Sequence, residues 1–393
     1  MNRASFRRDA LAYLGGLLSR RTSSGAFLPE VDGFRLIAIF LVIIFHASFH
    51  HSAKAPTAYM MFAANGNIGV QLFFTLSGFI LSLPFAQSFG TTGKSIKLSR
   101  YYIRRLTRLE PPYIVNLLII FGALVIVRKY SVAQLTRHLL ASILYQHNLI
   151  YGVPSTINSF AWSLEVEAQF YVLAPVLALV FRIRRTRLRR ATIGAAAFLP
   201  VVIRSFLPSN WDTRLYLPGQ FEWFASGFLL TEFYVSGYLS TDRRSPFWDV
   251  VAAIVGPLLF LSFLSTSPLV PLLRPVLVIT LYVGGFLGPK IRRFITRRPV
   301  YLAGGMCYST YLYHGIVLGR LNPIVETLLA RHAWGVVFAV GFPIVLVCIY
   351  IISAIMFLAF EKPFMTFKLG SRRGFRASAQ DDDTVEASQV GTP

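Results

Sequence analysis

Ten apolar stretches of near-bilayer length occupy most of this chain, and they leave it few folds to adopt. Their approximate limits are 34–50, 66–84, 109–127, 160–181, 191–207, 219–238, 248–265, 273–288, 300–318 and 334–359, the eighth being short. The expected class is therefore all-α: a polytopic membrane protein with about ten transmembrane helices. Composition agrees, because 54% hydrophobic and 14% charged residues, with a mean hydropathy of +0.56, are too apolar for an ordinary soluble chain of 393 residues.

A net charge of +22 would suggest nucleic acid in a soluble domain, but here it reads as topology and no nucleic-acid partner is expected. The basic residues gather in alternate connections: Arg7, Arg8, Arg20 and Arg21; Lys94 through Arg108; Arg182 through Arg190; Arg243 and Arg244; Lys290 through Arg298; and the tail after Lys362. By the positive-inside rule these connections are cytoplasmic, which places both termini inside and fits an even helix count. Residues 1–33 form a cytoplasmic N-terminal segment, with an interfacial helix over Ala10–Leu18. Residues 34–365 form the transmembrane domain, and 366–393, with Asp381, Asp382 and Asp383, a disordered cytoplasmic tail. The stretch from Ser131 to His147 has helical periodicity and is expected along the outer surface. Cys307 and Cys348 lie in apolar surroundings far apart in sequence, with neither a disulfide framework nor metal spacing.

Within the first apolar stretch stand Arg35 and His46, eleven residues apart. That separation is about three helical turns, or roughly 16 Å, so both side chains share one face. Ionisable groups at such depth normally face the bundle interior or a wet cavity. A neutral His46 there is suited to take a proton from a hydroxyl. His50 and His51, at the outer end, read as water-exposed. In the second stretch Asn67, Gln71, Thr75 and Ser77 recur at near-helical spacing and are candidates to line a polar path, while the glycines there read first as packing residues.

At the cytoplasmic start of the third stretch, Arg105 and Arg108 are three residues apart, which sets two guanidinium groups on one side of a helix as a fork suited to phosphates. Glu165 and Glu167 mark the outer start of the fourth, Glu167 entering the apolar region and Glu165 staying near water. They are placed to bind hydroxyls of a sugar-like acceptor or to orient a histidine. His314, in the aromatic run Tyr308–His314, is expected in the outer half.

These segments resemble the acyltransferase 3 family of membrane-bound O-acyltransferases over residues from about 30 to 365. Arg35 with His46 is similar to its R-x10-H motif; Gly69 through Phe79 resembles G-V-x-L-F-F-x-L-S-G-F; Arg105, Arg108 and Pro111 resemble R-x-x-R-x-x-P. Trp162-Ser163-Leu164 with Glu167, Gln169, Phe170 and Tyr171 is similar to W-S-L-x-x-E-x-Q-F-Y. Tyr308 through His314 and Glu361-Lys362-Pro363 echo S-Y-x-x-Y-L-x-H and E-K-P. Glu165 stands where the family often has a small or polar residue, and Ala168 where it often has a second acid.

The resemblance implies transfer of an acyl group, most often acetyl, from cytoplasmic acyl-coenzyme A as co-substrate to a hydroxyl of an envelope polysaccharide or lipid-linked sugar, by a multi-pass protein of the cell (inner) membrane, with membrane lipids around it and no metal. On it, His46, Arg35 and Glu167 are catalytic; Arg105 and Arg108 hold the donor; Trp162, Ser163, Glu165 and His314 meet the acceptor; and Asn67, Gln71 and Ser77 line the channel. His46 acts either as general base or through an acyl-histidine, and Arg35 either binds donor phosphate or shapes the cytoplasmic end of the cavity. Ending after ten helices, the chain is expected to lack the esterase-like domain that some relatives append, and to act alone or with a separate extracytoplasmic transferase. The alternative class is a transporter or flippase of an envelope lipid or sugar, which also uses intramembrane ionisable residues, although no repeat of halves is evident.

Overall fold

A computed structural model describes residues 15–20, 27–47, 55–92, 96–127, 130–206, 213–328 and 331–365. Among them every regular element is helical. The principal helices are α1 (Pro29–His46), α2 (Ile68–Gln87), α3 (Leu98–Ile126), α4 (Val132–Ile143), α5 (Trp162–Leu177), α6 (Thr186–Ser205), α7 (Phe221–Val235), α8 (Pro246–Leu261), α9 (Arg274–Leu287), α10 (Arg298–Gly305), α11 (Cys307–Leu328) and α12 (Phe342–Met356).

Five helical runs among the described residues are long and apolar enough to cross a bilayer: Thr57–Gly90, Leu98–Ile126, Ser159–Arg182, Val270–Leu287 and Trp334–Met365. They match the second, third, fourth, eighth and tenth predicted stretches and give the chain the character of a multi-pass membrane protein. The described parts of the remaining stretches are largely helical too, and three of these helices have a reason to be weaker. α1 carries Glu30, Asp32 and Arg35, α6 begins with Arg187, Arg189 and Arg190, and α7 has only 15 residues. The first helix starts earlier than its apolar run because Pro29 occupies its first turn, where a missing N–H costs nothing, and Glu30 and Asp32 suit the positive end of the helix dipole.

The core is built around α2, which packs between α1 and α7. Gly78 and Gly227 explain the close approach of α2 and α7: a Cβ on either would run into the main chain of the other helix. Small residues at such a crossing let backbones approach within van der Waals range, which drives helix association where no water is available to be expelled. At the same crossing the Ser82 and Thr231 hydroxyls meet at 2.7 Å. α1 also packs on α10, α8 on α9, and α11 on α12.

The predicted helix over 131–147 is shorter than expected. The Ser131 side chain accepts a hydrogen bond from the Gln134 N–H at 3.3 Å and starts α4. After Ile143 the chain turns through Tyr145, a non-glycine residue at φ 54°, into the short helix His147–Tyr151. Of the predicted interfacial helix only residues 15–18 are described, and they are helical. His50, His51 and residues 366–393 lie outside the described residues.

Candidate active site

The fold gathers Arg35 of α1, Ser77 of α2, Arg105 and Arg108 of α3, Ser163 and Glu167 of α5, and Tyr308 and Tyr311 of α11 around one cavity of about 90 Å3. Residues from five helices meet here, and Arg35 comes from the N-terminal half of α1. Cys307 lines the same space.

One end of this cavity is cationic. Asp32, three residues before Arg35 and so adjacent to it on the helix surface, accepts from Arg35 Nη1 at 2.6 Å and from Arg20 Nη1 at 2.9 Å through the same Oδ1. Only 2% of Asp32 is exposed. Arg35 is thus committed to a buried carboxylate. Arg105 and Arg108, by contrast, form no ion pair among the described residues, and Arg105 lies over the Tyr101 ring at 5.7 Å. Arg105 and Arg108, three residues apart on α3, both line this cavity.

Midway stands Glu167. Ser77 Oγ and Tyr171 Oη (2.5 Å) both donate to its Oε1, which fixes the carboxylate against the cavity wall. Opposite it, Tyr311 Oη donates to the Phe160 carbonyl at 2.5 Å, so the contact with Ser163 Oγ at 2.7 Å has the serine as donor.

Beyond Tyr311 and Phe160 lies a pair of imidazoles. His314, with no exposed surface, has Nδ1 at 2.6 Å from the Tyr311 carbonyl and Nε2 at 3.1 Å from His46 Nδ1. A carbonyl only accepts, so the neutral His314 carries its proton on Nδ1 and leaves Nε2 to accept from His46 Nδ1–H. The lone pair of His46 is thereby placed on Nε2. The sequence could not show that these two histidines, 268 positions apart, are partners.

The Phe160 ring packs edge-on to His46 at 4.5 Å and against His314 at 5.0 Å. Gly315 makes room for it, since a Cβ there would overlap the ring. Phe160 is held in turn by a polar chain missed in sequence: Asn116 Nδ2 donates to the Leu312 carbonyl at 2.9 Å, Asn158 Nδ2 to Asn116 Oδ1 at 2.8 Å, and the Phe160 N–H to Asn158 Oδ1 at 3.1 Å. A lone asparagine between Val115 and Leu117 was the available signal, because an unpartnered amide in an apolar helix is costly.

Four predicted site residues sit elsewhere. Glu165 is fully buried instead of near water, because the start of the short helix His147–Tyr151 lies against it and the Asn148 N–H donates to its Oε2 at 2.7 Å. Trp162 offers its carbonyl to Asn148 Nδ2 at 2.9 Å and lies outside the cavity lining. Asn67 and Gln71 also fall outside it, and Asn67 Oδ1 and Gln71 Oε1 are buried with no hydrogen-bond partner among the described residues. Glu361 is buried under the cationic end, accepting from Ser309 Oγ at 2.6 Å and from the Ser309 N–H at 3.2 Å.

The model of the acyltransferase domain family matches residues 28–356. The peptidoglycan O-acetyltransferase OatA of Listeria monocytogenes is 25% identical over 383 residues, which cover 86% of this chain and 56% of that protein. The O-acetyltransferase OatA of Staphylococcus aureus is 29% identical over 175 residues, 42% of this chain and 27% of that one. The chain therefore spans about half the length of the Listeria relative. No solved structure matches it.

Proposed function

The chain belongs to the acyltransferase 3 family, and from that premise we propose that it transfers an acyl group, acetyl in the simplest case, from acyl-coenzyme A to a hydroxyl of an envelope glycan. In this reading the ten apolar stretches all span the cell (inner) membrane, both termini are cytoplasmic, and the Arg35 end of the cavity faces the donor. Peptidoglycan is the first acceptor to test, given the names of the relatives.

One observation supports this reading above the others: two guanidinium groups that form no ion pair among the described residues line one cavity, and beyond its Tyr311 stands a histidine whose tautomer is set by His314. Arg105 and Arg108 suit the phosphates of coenzyme A, as a fork of planar donors matches phosphate oxygens. His46 Nε2 takes the proton of the acceptor hydroxyl as that oxygen attacks the thioester carbonyl. The carbon–sulfur bond breaks, and the thiolate of coenzyme A leaves and recovers the proton from the imidazolium. His314 holds the base in orientation, as the third member of a nucleophile–base–orienter set does. Glu167, anchored by Ser77 and Tyr171, positions the acceptor, and the apolar wall limits hydrolysis.

The test is His46→Ala in cells and in vesicles, with membrane insertion verified by protease protection. Acetyl groups on envelope glycans, read by mass spectrometry, disappear while insertion is intact. Normal acetylation in that variant would end the proposal.

A further inference from the structure

We propose that the protein holds one phospholipid with a primary amine in its head group, of the phosphatidylethanolamine type, in a polar site where the ends of α6, α7, α8 and α9 meet. The proposal rests on the membrane character of the chain and not on acyl transfer, since none of the residues that build this site lines the reaction cavity.

The sequence puts four polar side chains at these helix ends: Arg204 in the last turn of α6, Gln220 and Glu222 at the start of α7, and Arg274 at the start of α9. α7 packs on α6 and α9, and α6 packs on the turn Val270–Leu273, which brings the four to one place. Arg204, Glu222 and Arg274 lie within electrostatic range of one another.

Charges at the rim of a membrane domain ordinarily extend toward water. These are turned inward and fixed. Arg204 Nη1 donates to the Gly219 carbonyl and its Nη2 to Glu222 Oε1, both at 2.7 Å. Arg274 Nη2 donates to the Ser262 carbonyl at 2.9 Å, and its guanidinium lies over the Phe263 ring at 4.1 Å, a ring that stacks in turn on Trp223. Gln220 Nε2 donates to the Arg214 carbonyl at 3.1 Å, which leaves its Oε1 as an acceptor.

The arrangement is incomplete. Among the described residues, Gln220 Oε1 and Glu222 Oε2 are buried acceptors with no partner, and Arg274 Nε is a buried donor with none. Only 3% of Gln220 and 2% of Glu222 are exposed, and buried polar groups of this kind are normally paired. Arg274 forms no ion pair among the described residues. The missing chemistry is two-sided: an anion for Arg274 and N–H or O–H donors for the two oxygens. Inorganic phosphate supplies the first and is repelled by Glu222. A sugar hydroxyl supplies the second and no charge for Arg274. A phosphodiester joined by a short link to an ammonium supplies both as charge-assisted hydrogen bonds.

The surroundings point to a lipid as the carrier of that head. Ile203 and Phe206 at the end of α6, and Leu273 and Val276 around the start of α9, are exposed. Apolar side chains beside a basic pocket between helix ends give hydrocarbon chains a surface to lie on. In the orientation proposed above, these helix ends belong to the outer leaflet.

The test uses the full-length protein in detergent, with native mass spectrometry reading the binding of phosphatidylethanolamine, phosphatidylglycerol and phosphatidylcholine of identical acyl chains. One phosphatidylethanolamine per chain is expected, with an affinity about tenfold above either other lipid, because choline has no N–H and glycerol no charge for Glu222. Free O-phosphoethanolamine at the same concentration should neither bind nor displace it, which separates a lipid site from a site for a soluble phosphate. Glu222→Gln keeps the shape and the contact with Arg204, and should bring the three lipids to within about twofold of one another. Arg274→Gln should lower retention of phosphatidylethanolamine about fivefold. In phosphatidylcholine nanodiscs, phosphatidylethanolamine with a diazirine near the glycerol end of one acyl chain should label peptides covering residues 199–206 and 269–277. Equal affinity of the wild type for the three lipids, displacement by free O-phosphoethanolamine, or label confined to other helices would each overturn the proposal, and none of these three readings needs a variant to fold.

Discussion

The reaction cavity, with its cationic end, and the imidazole pair that lies beyond it are built from different physics. At the cationic end, Arg20 and Arg35 share one oxygen of Asp32, and Arg105 and Arg108, which line the cavity, form no ion pair among the described residues. At the imidazole end no formal charge is needed, because Tyr311, His314 and His46 form a hydrogen-bonded series of neutral groups. Coulomb attraction falls slowly with distance, so the cationic end tolerates small displacements and responds to salt. A tautomer is set by one hydrogen bond of fixed direction, so the imidazole end tolerates no change of partner. The first suits holding an anion, and the second suits moving a proton.

The largest expected effect follows from that division. His46→Ala should lower kcat by about 10²- to 10⁴-fold, the usual contribution of a general base, with little change in donor KM. A variant that instead raised donor KM at constant kcat would assign His46 to binding and dissolve the comparison. Next is His314→Ala, which leaves His46 free to adopt the wrong tautomer. A loss of about a hundredfold in kcat is expected, below the roughly 10⁴ seen when a triad base is held in the wrong tautomer. His314→Gln, whose amide oxygen accepts from His46 Nδ1–H, should recover part of it in the same assay. Failure of Gln to do better than Ala would mean that His314 packs and does not orient.

At the other end, Arg108→Lys keeps the charge but loses the planar fork. Donor KM should rise roughly tenfold, the equivalent of one charge-assisted hydrogen bond of about 1.5 kcal/mol, with kcat nearly unchanged. In the wild type, raising salt from low to high concentration should increase donor KM and leave kcat alone. A salt-insensitive KM would show that the guanidinium groups do not meet phosphate.

Much of this contrast was legible in the sequence, and the reason lies in local spacing. Arg105 and Arg108 could be paired from helical geometry alone, and they do share a cavity. Arg35 and His46 were likewise placed by a single helix. Partners far apart in sequence were not legible: His314 with His46, Asn116 with Asn158, and Ser77 with Glu167 meet only through tertiary packing. Asp32 was legible in principle, since an acid three residues before Arg35 is its helical neighbour. Glu165 shows the opposite failure, because a carboxylate at a predicted membrane edge suggested water and instead lies buried against the short helix that carries Asn148. Of the ten stretches, five are helices long and apolar enough to span, and these were legible because apolar length is a local property.

The smallest effect comes from a second histidine pair, outside the cavity, which serves as a control for the first. In the connection between α3 and α5, His147 Nδ1 donates to the Val153 carbonyl at 3.1 Å, and its Nε2 accepts from His138 Nδ1–H at 2.8 Å. Burial holds the His147 pKa below its ordinary 6.5, and the neighbouring His138 charge acts in the same direction. The unfolded chain therefore binds a proton at this residue at higher pH than the folded one does. Stability that is complete above pH 6.5 should decline as pH falls through and below that value. Thermal unfolding of the purified protein between pH 7.5 and pH 5.5 measures the slope, and His147→Gln should flatten it. Because neither His138 nor His147 lines the reaction cavity, the same variant should leave the kcat of acyl transfer at pH 7.5 within about twofold of the wild type, about 0.4 kcal/mol by transition-state arithmetic. A larger loss would mean that the two histidine pairs are coupled, and the separation between a proton-moving end and the surrounding scaffold would have to be redrawn.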